Sequence, residues 1–318
     1  MNKVRGSIKQ NELLSRHTSW RVGGPAKTFF EPADREDLIT FVRALPASEP
    51  LLWLGLGSNL LVRDGGFAGT VIHLHGALDA LSLVIPAKAG IQGPGDADSE
   101  RLDSRFRGND TLIYAEAGTH CARLAKFAKD EKMAGLGFMA GIPGTVGGAL
   151  AMNAGAWGGE TWPQVAEAEI IRRDGGTEWL PAGDFRFAYR EVAAPERAIG
   201  FIAARFNVTP DTDGSHERYT RESLAKRKAT QPVGKPSAGS TFRNPPGDHA
   251  ARLIEACGLK GHRIGGATVS VQHANFVLTE DGARAADVEQ LIAHLQATVL
   301  AQTGVALHPE VRVVGEVA

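Results

Sequence analysis

LGFMAGIPGTVGGALAMNAGAWGGE, residues 136–160, is the densest glycine run in the chain; nine glycines fall between 135 and 159. A second run, GLGSNLLVRDGG (55–66), emerges from the apolar stretch PLLWLGLG (50–57), which has the pattern of a buried strand. With the second run extended to Gly69, and with Gly23 and Gly24, these stretches hold 16 of the 38 glycines within 42 of the 318 residues. Glycine makes up about 12% of the chain, where ~7% is ordinary. Clustered glycines let a backbone approach a ligand closely and present N–H groups to an anion, or they simply make tight turns. Neither run is a known phosphate loop. Leu60 stands where the dinucleotide fingerprint needs its third glycine, and no Gly-Lys-Ser/Thr follows the longer run as a Walker A loop requires.

The rest of the composition narrows the function. Hydrophobic residues at 43% supply sizeable cores, and 318 residues predict two or three domains. Basic and acidic side chains number 35 and 36, so no basic excess points to nucleic acid. Two cysteines, Cys121 and Cys257, form no disulfide framework and fit a reducing compartment. The N-terminal MNKVRGSIKQNELLSRH lacks the apolar core of a secretory signal, and no apolar run is long enough for a membrane span. A cytoplasmic protein is expected, with no membrane partner. The sequence does not fix an oligomeric state; a monomer is compatible with it.

Strands and helices alternate. Asp34 predicts a helix N-cap, followed by Leu38, Phe41, Val42 and Leu45 on one face. GTVIHLHG (69–76), LDALSLV (78–84), LIYAEAG (112–118) and AIGFIAARFNV (198–208) have strand character. A helix is expected over 119–132, and AEAEIIRRDGGTEWLP (166–181) predicts a hairpin about Asp174-Gly175. Composition turns polar after about residue 212. Two helices follow, at 249–257 before Gly258 and at 285–303 before Gly304. Residues 85–110, IPAKAGIQGPGDADSERLDSRFRGND, interrupt a hairpin between 78–84 and 112–118. Their composition reads as an inserted solvent-exposed loop; a specific interaction loop is the other reading.

Seven blocks in order resemble the UDP-N-acetylenolpyruvoylglucosamine reductase family: HTSWRVGGPA (17–26), GLGSNLLV (55–62), AGIPGTVGGALAMNAGAWGGE (140–160), FAYR (187–190), PSAGSTFRNP (236–245), LIEACGLKGHRIGGATVSVQHANFVL (253–278) and LHPEVRVVG (307–315). The resemblance covers nearly everything except 85–110. It implies an α+β protein, with a two-subdomain FAD-binding fold of the vanillyl-alcohol oxidase type and an α+β C-terminal substrate domain. The parts expected are residues 1–75, residues 76–212 carrying the insertion, and residues 213–318, whose last strand returns toward the flavin site. The implied enzyme is a cytoplasmic oxidoreductase of peptidoglycan precursor synthesis, with FAD and NADPH as cofactors. It reduces the enolpyruvyl ether of a UDP-sugar to UDP-N-acetylmuramate.

By motif, the resemblance puts catalysis on Arg190, Ser240 and Glu310. It puts the cofactor on Gly55, Gly57, Ser58, Asn59 and Leu60 of the first run. In the second it implies Gly141, Ile142, Pro143, Gly144, Thr145, Gly147, Gly148, Asn153, Gly155 and Ala156. Substrate contacts are implied for Tyr189, Arg243, Asn244, His273 and Asn275. No metal is implied, and neither His262 nor His273 has a partner at a ligand spacing.

The residue types suit the chemistry. Hydride delivered to the β-carbon of an enol ether leaves negative charge on the α-carbon and its carboxylate, and a permanently charged guanidinium such as Arg190 stabilises it. Glu310 can hydrogen-bond the developing acid when protonated or orient its neighbours when ionised. An aligned Ser240 hydroxyl can protonate the basic enolate carbon. Each has a plainer reading: a surface ion pair, an exposed strand-end carboxylate, a turn serine beside Gly239. Between 215 and 263, ten basic residues face four acidic ones, a field suited to a diphosphate or to a solvated helix face. The tyrosine loop that closes over the UDP-sugar in many family members is absent between Arg190 and Ser240, so the chain resembles the shorter branch. Two other readings stay open on sequence: a different flavin oxidoreductase of the same fold, and a non-catalytic nucleotide-sugar binder.

Overall fold

The computed structural model of the protein describes residues 4–84 and 111–318. The insertion expected at 85–110 lies outside the described residues. The chain divides into two compact units, Met1–Ala77 with Leu224–Ala318, and Leu78–Ser223. Six α-helices occur among the described residues: α1 (Arg35–Ala44), α2 (Cys121–Asp130), α3 (Val146–Met152), α4 (Ser215–Thr230), α5 (Ala250–Ala256) and α6 (Ala285–Thr303).

In the discontinuous unit, strands order as Ser7–Leu13, Pro25–Glu31, Phe67–His73 and Leu51–Leu54. The first pair is antiparallel and the others are parallel. Helix α1 starts where Asp34 predicts, its side chain accepting from Asp37 N–H at 3.0 Å. Its apolar face buries Leu38, Phe41 and Val42, with Phe41 stacked on Phe30 at 3.8 Å. The expected strand over 50–57 is trimmed to Leu51–Leu54, because the glycines beyond it turn the chain.

The same unit holds a second core. Helix α6 buries Val288, Leu291, Ile292, Leu295 and Val299, each worth roughly 1.5–3 kcal/mol when fully removed from water. It stops at Gly304, which is left-handed at φ 73°. Helices α5 and α6 pack with the small antiparallel sheet Arg263–Ile264, Ala267–Val269 and Val277–Thr279. Trp20, Val22 and Leu61 join that core from the other end of the sequence. Trp20 locks in with its indole N–H on Val277 O at 2.8 Å, while Thr279 Oγ1 donates to Trp20 O at 2.6 Å. A parallel pair, Leu60–Val62 with Arg312–Val314, closes the unit.

The contiguous unit is built on an antiparallel sheet ordered Thr177–Pro181, Val165–Ile171, Gly200–Pro210, Thr111–Glu116 and Leu81–Val84. The hairpins expected at 166–181 and on either side of the insertion are both present. Alternate residues Ile113, Ala115, Ala168, Ile170, Ala204 and Phe206 face Leu124, Ala128 and Leu150 of α2 and α3 in one core. Helix α3 lies inside the long glycine run, to which the sequence reading assigns no helix. Thr145 caps it, and Val146 and Gly147 donate to Thr119 O and Ala117 O, both at 2.8 Å. Its helical form is thus imposed by the neighbouring strand end rather than by its own glycine-weakened propensity.

Candidate active site

Ser240 and Glu310 come from distant segments of the discontinuous unit, and backbone bonds stitch those segments together. Glu310 N–H donates to Thr241 O at 2.8 Å, Arg243 N–H donates to His308 O at 2.9 Å, and Phe242 and Pro309 pair antiparallel. The first glycine run joins the same ladder. Asn59 Nδ2 donates to Glu310 O at 3.1 Å, and Arg312 N–H donates to Asn59 O at 3.0 Å. Three motifs that the sequence keeps apart therefore share one edge. Gly57 has φ +58°, and a Cβ there would lie 2.3 Å from His17 O. That glycine admits the HTSW segment to the loop, where Ser19 N–H donates to Gly57 O at 3.3 Å. At Gly239, beside Ser240, φ is +71° and an added Cβ would meet no atom within 4 Å, so that glycine is set by its backbone conformation rather than by crowding.

The expected substrate residues divide by what their side chains touch. Asn275 is buried, and its amide clasps one residue on both sides: Phe242 N–H donates to Oδ1 at 2.9 Å, and Nδ2 donates to Phe242 O at 2.8 Å. Thr241 N–H completes the clasp on Asn275 O at 2.8 Å. Asn244 Oδ1 accepts from Ala250 N–H at 3.1 Å, at the start of α5. His273 accepts from Asn275 N–H through Nδ1 at 3.3 Å and packs edge-on against Phe276. Burial lowers the His273 pKa, so the neutral ring carries its proton on Nε2. Of the cations counted between 215 and 263, Arg252, Lys260 and Arg263 are engaged by Asp248, Glu255 and Glu280. The basic excess is smaller in space than along the sequence.

Arg190 belongs to the contiguous unit. It sits in the two-residue loop between strands Arg186–Ala188 and Glu191–Ala193, at φ +58°. Its guanidinium folds back on the second glycine run, donating to Asn153 O at 3.3 Å and Gly155 O at 2.9 Å, and lies 4.9 Å from the Tyr189 ring centroid. A Cβ on Gly155 would come within 2.4 Å of Gly159 O and 3.2 Å of Arg190 Nη1. Much of the glycine run's closeness is therefore to other protein segments, a use that the count of glycines does not distinguish from closeness to a ligand. Asn153 is the αL cap of α3 at φ 44°, and it is fully buried. Both of its amide hydrogens serve protein acceptors, Glu160 Oε2 and Ala188 O at 3.0 Å each, and Oδ1 accepts from Trp162 N–H at 3.0 Å.

Two buried hydroxyls adjoin these segments with no hydrogen-bond partner among the described residues. They are Thr119 Oγ1, on the turn that anchors Val146, and Thr241 Oγ1, next to Ser240. An unsatisfied buried hydroxyl costs roughly 1–3 kcal/mol unless something else bonds it. Each hydroxyl, within its own unit, is a donor left for an acceptor atom from outside the protein. Among the described residues, no cluster of three or more His, Cys, Asp or Glu could hold a metal ion.

Residues 98–180 match the FAD binding domain pattern, and residues 231–314 match the C-terminal domain of UDP-N-acetylenolpyruvoylglucosamine reductase. The class is thus a flavin-dependent oxidoreductase with a dedicated C-terminal domain. The reductase of Methylococcus capsulatus is 48% identical over 98% of this chain and 94% of its own length. That of Nitrosococcus oceani is 49% identical over 99% and 97%. The crystal structure of the Thermus caldophilus enzyme superposes with a TM-score of 0.76 at 30% identity, covering 97% of this chain and 98% of that one. The chain belongs to the UDP-N-acetylenolpyruvoylglucosamine reductase family. The α+β FAD-binding fold that the resemblance implies is the fold it has.

Proposed function

We propose that this chain reduces UDP-N-acetyl-enolpyruvoylglucosamine to UDP-N-acetylmuramate at the expense of NADPH, in the cytoplasm, as a step of peptidoglycan precursor synthesis. FAD, when bound, supplies hydride chemistry between NADPH and the vinyl β-carbon of the substrate. The protein's own residues do the rest. Arg190 holds its guanidinium toward the carboxylate as negative charge spreads onto it and the α-carbon. Ser240 Oγ donates the proton that the α-carbon takes up, and Glu310 hydrogen-bonds the developing acid. Gly55, Gly57, Ser58, Asn59 and Leu60, with Gly141, Ile142, Pro143, Gly144, Thr145, Gly147, Gly148, Gly155 and Ala156, face the cofactor, whereas the Asn153 amide is spent on protein partners. Tyr189, Arg243, Asn244 and His273 flank the substrate. The division into parts at 75/76 and 212/213, and the place of this chain in the branch without the tyrosine loop, belong to the same reading.

The ladder that ties Thr241 to Glu310 supports this reading, because it joins the backbones of the Ser240 and Glu310 segments, which are far apart in sequence. The purified protein should be yellow, absorbing near ~450 nm. NADPH should bleach it, and the enolpyruvyl substrate should restore the colour without oxygen. A colourless protein, or one that substrate cannot reoxidise, would sink the proposal.

A further inference from the structure

Arg190 occupies an awkward position. The loop between Ala188 and Glu191 has two residues, and the second has φ +58°, as in a type II turn, where glycine or asparagine is the favoured residue. A non-glycine residue persists in this region only where its surroundings over-determine it. Three bonds to the end of α3 do so here. Asn153 Nδ2 donates to Ala188 O, which pins the strand entering the loop, while Asn153 O and Gly155 O receive the guanidinium at its far end. The amide is itself fixed by Glu160 Oε2 and Trp162 N–H, and it is fully buried at φ 44°.

We propose that Asn153 is a positioning residue for Arg190: its side-chain amide, bonded to Ala188 and braced by Glu160, sets the turn that aims the guanidinium. The proposal rests on the reading of Arg190 as a catalytic residue. It gives Asn153 a role inside the protein rather than on the flavin. Mispositioning by about 1 Å costs on the order of 10²-fold in rate, and only the step that builds charge on the substrate should feel it.

Asn153→Gly is the sharpest variant, since glycine keeps the αL backbone and deletes only the amide. The holoenzyme should retain its flavin content and be reduced by NADPH at a near-normal rate. Reoxidation by the enolpyruvyl substrate should slow by about 10²-fold, and the double variant with Arg190→Ala should be no slower than Arg190→Ala alone. Asn153→Asp is the second arm, because it keeps the acceptor for Trp162 and turns the donor into an oxygen facing Ala188 O and Glu160. Its reoxidation defect should ease as pH falls and the new carboxyl, pushed up by Glu160, protonates and donates again. Normal reoxidation in Asn153→Gly, multiplicative losses in the double variant, or loss of flavin from both variants would overturn the proposal. A normal rate in Arg190→Ala would instead overturn the assignment of Arg190 beneath it.

Discussion

Asn275→Ala separates two roles that its family motif leaves merged. If Asn275 chiefly touches substrate, truncation raises KM and leaves stability alone. The structure predicts the reverse. Asn275 is 3% exposed and Phe242 is 1% exposed, so removing the amide leaves the N–H and C=O of Phe242 buried without the partners they have at 2.9 and 2.8 Å. Each orphaned group costs about 1–3 kcal/mol, for a total near 4 kcal/mol. At ~2–4 °C per kcal/mol for a large domain, this corresponds to a Tm lower by about 8–16 °C. The readout is a thermal melt of the flavin-loaded protein, run beside anaerobic stopped-flow reoxidation. Because Phe242 lies two residues from Ser240, the reoxidation rate should fall while the NADPH half-reaction holds. A Tm within about 2 °C of wild type, no more than the smallest shift of a single lost bond, together with a raised KM alone, would refute the clasp.

Ser240→Ala should leave reduction by NADPH near normal and slow reoxidation by orders of magnitude, as single-turnover absorbance traces would show; equal loss of both half-reactions would make Ser240 structural. A pH prediction follows from His73, which packs 5.3 Å from the His17 and Phe29 ring centroids and 5.9 Å from His75, with Glu31 Oε1 at 3.3 Å from Nδ1. Burial outweighs the pull of Glu31 and lowers the His73 pKa below its usual ~6.5. The unfolded chain then binds the extra proton, so stability should drop as pH falls through about 6.5 and below. His73→Gln should flatten that part of the melting profile, and an unchanged slope would contradict it. Val84 and Leu112 are direct partners across the hairpin that brackets the insertion, so replacing 86–109 by a short turn should preserve flavin content and turnover. Loss of flavin on purification would show that the replaced residues matter to the fold.

Features set by local chemistry are readable in the sequence. Asp34 caps α1 and Gly304 ends α6 where the pattern places them, since caps need only a neighbouring N–H or a positive φ. Features set by distant partners are not. The polar SIKQNEL forms strand Ser7–Leu13 because Pro25–Glu31 offers it an edge, and VGGALAM is helical because Thr119 and Ala117 hold its first turn. The site shows the same divide. Motif resemblance reaches Asn153 and Asn275 as site residues, but their amides bond to Ala188, 35 residues away, and Phe242, 33 residues away. No local pattern carries either pairing. The glycines follow the same rule: a count reveals that something comes close, and only the fold reveals that at Gly57 it is His17.

The parallel pairing of Leu60–Val62 with Arg312–Val314 has a consequence for how the molecule is made. Residues 78–223 are continuous, so that unit can fold on the ribosome while synthesis is still under way. The other unit can be completed only after that interval, when its C-terminal part is made, and a loop this long closes late. Its closing strand begins two residues after Glu310. A nascent chain halted before residue 312 leaves Leu60–Val62 as a bare edge, the kind of surface that proteases and other unpaired strands find. A chain that has closed the edge has necessarily been translated through Glu310. Completion of this unit therefore certifies, at the level of protein turnover, that the carboxylate is aboard.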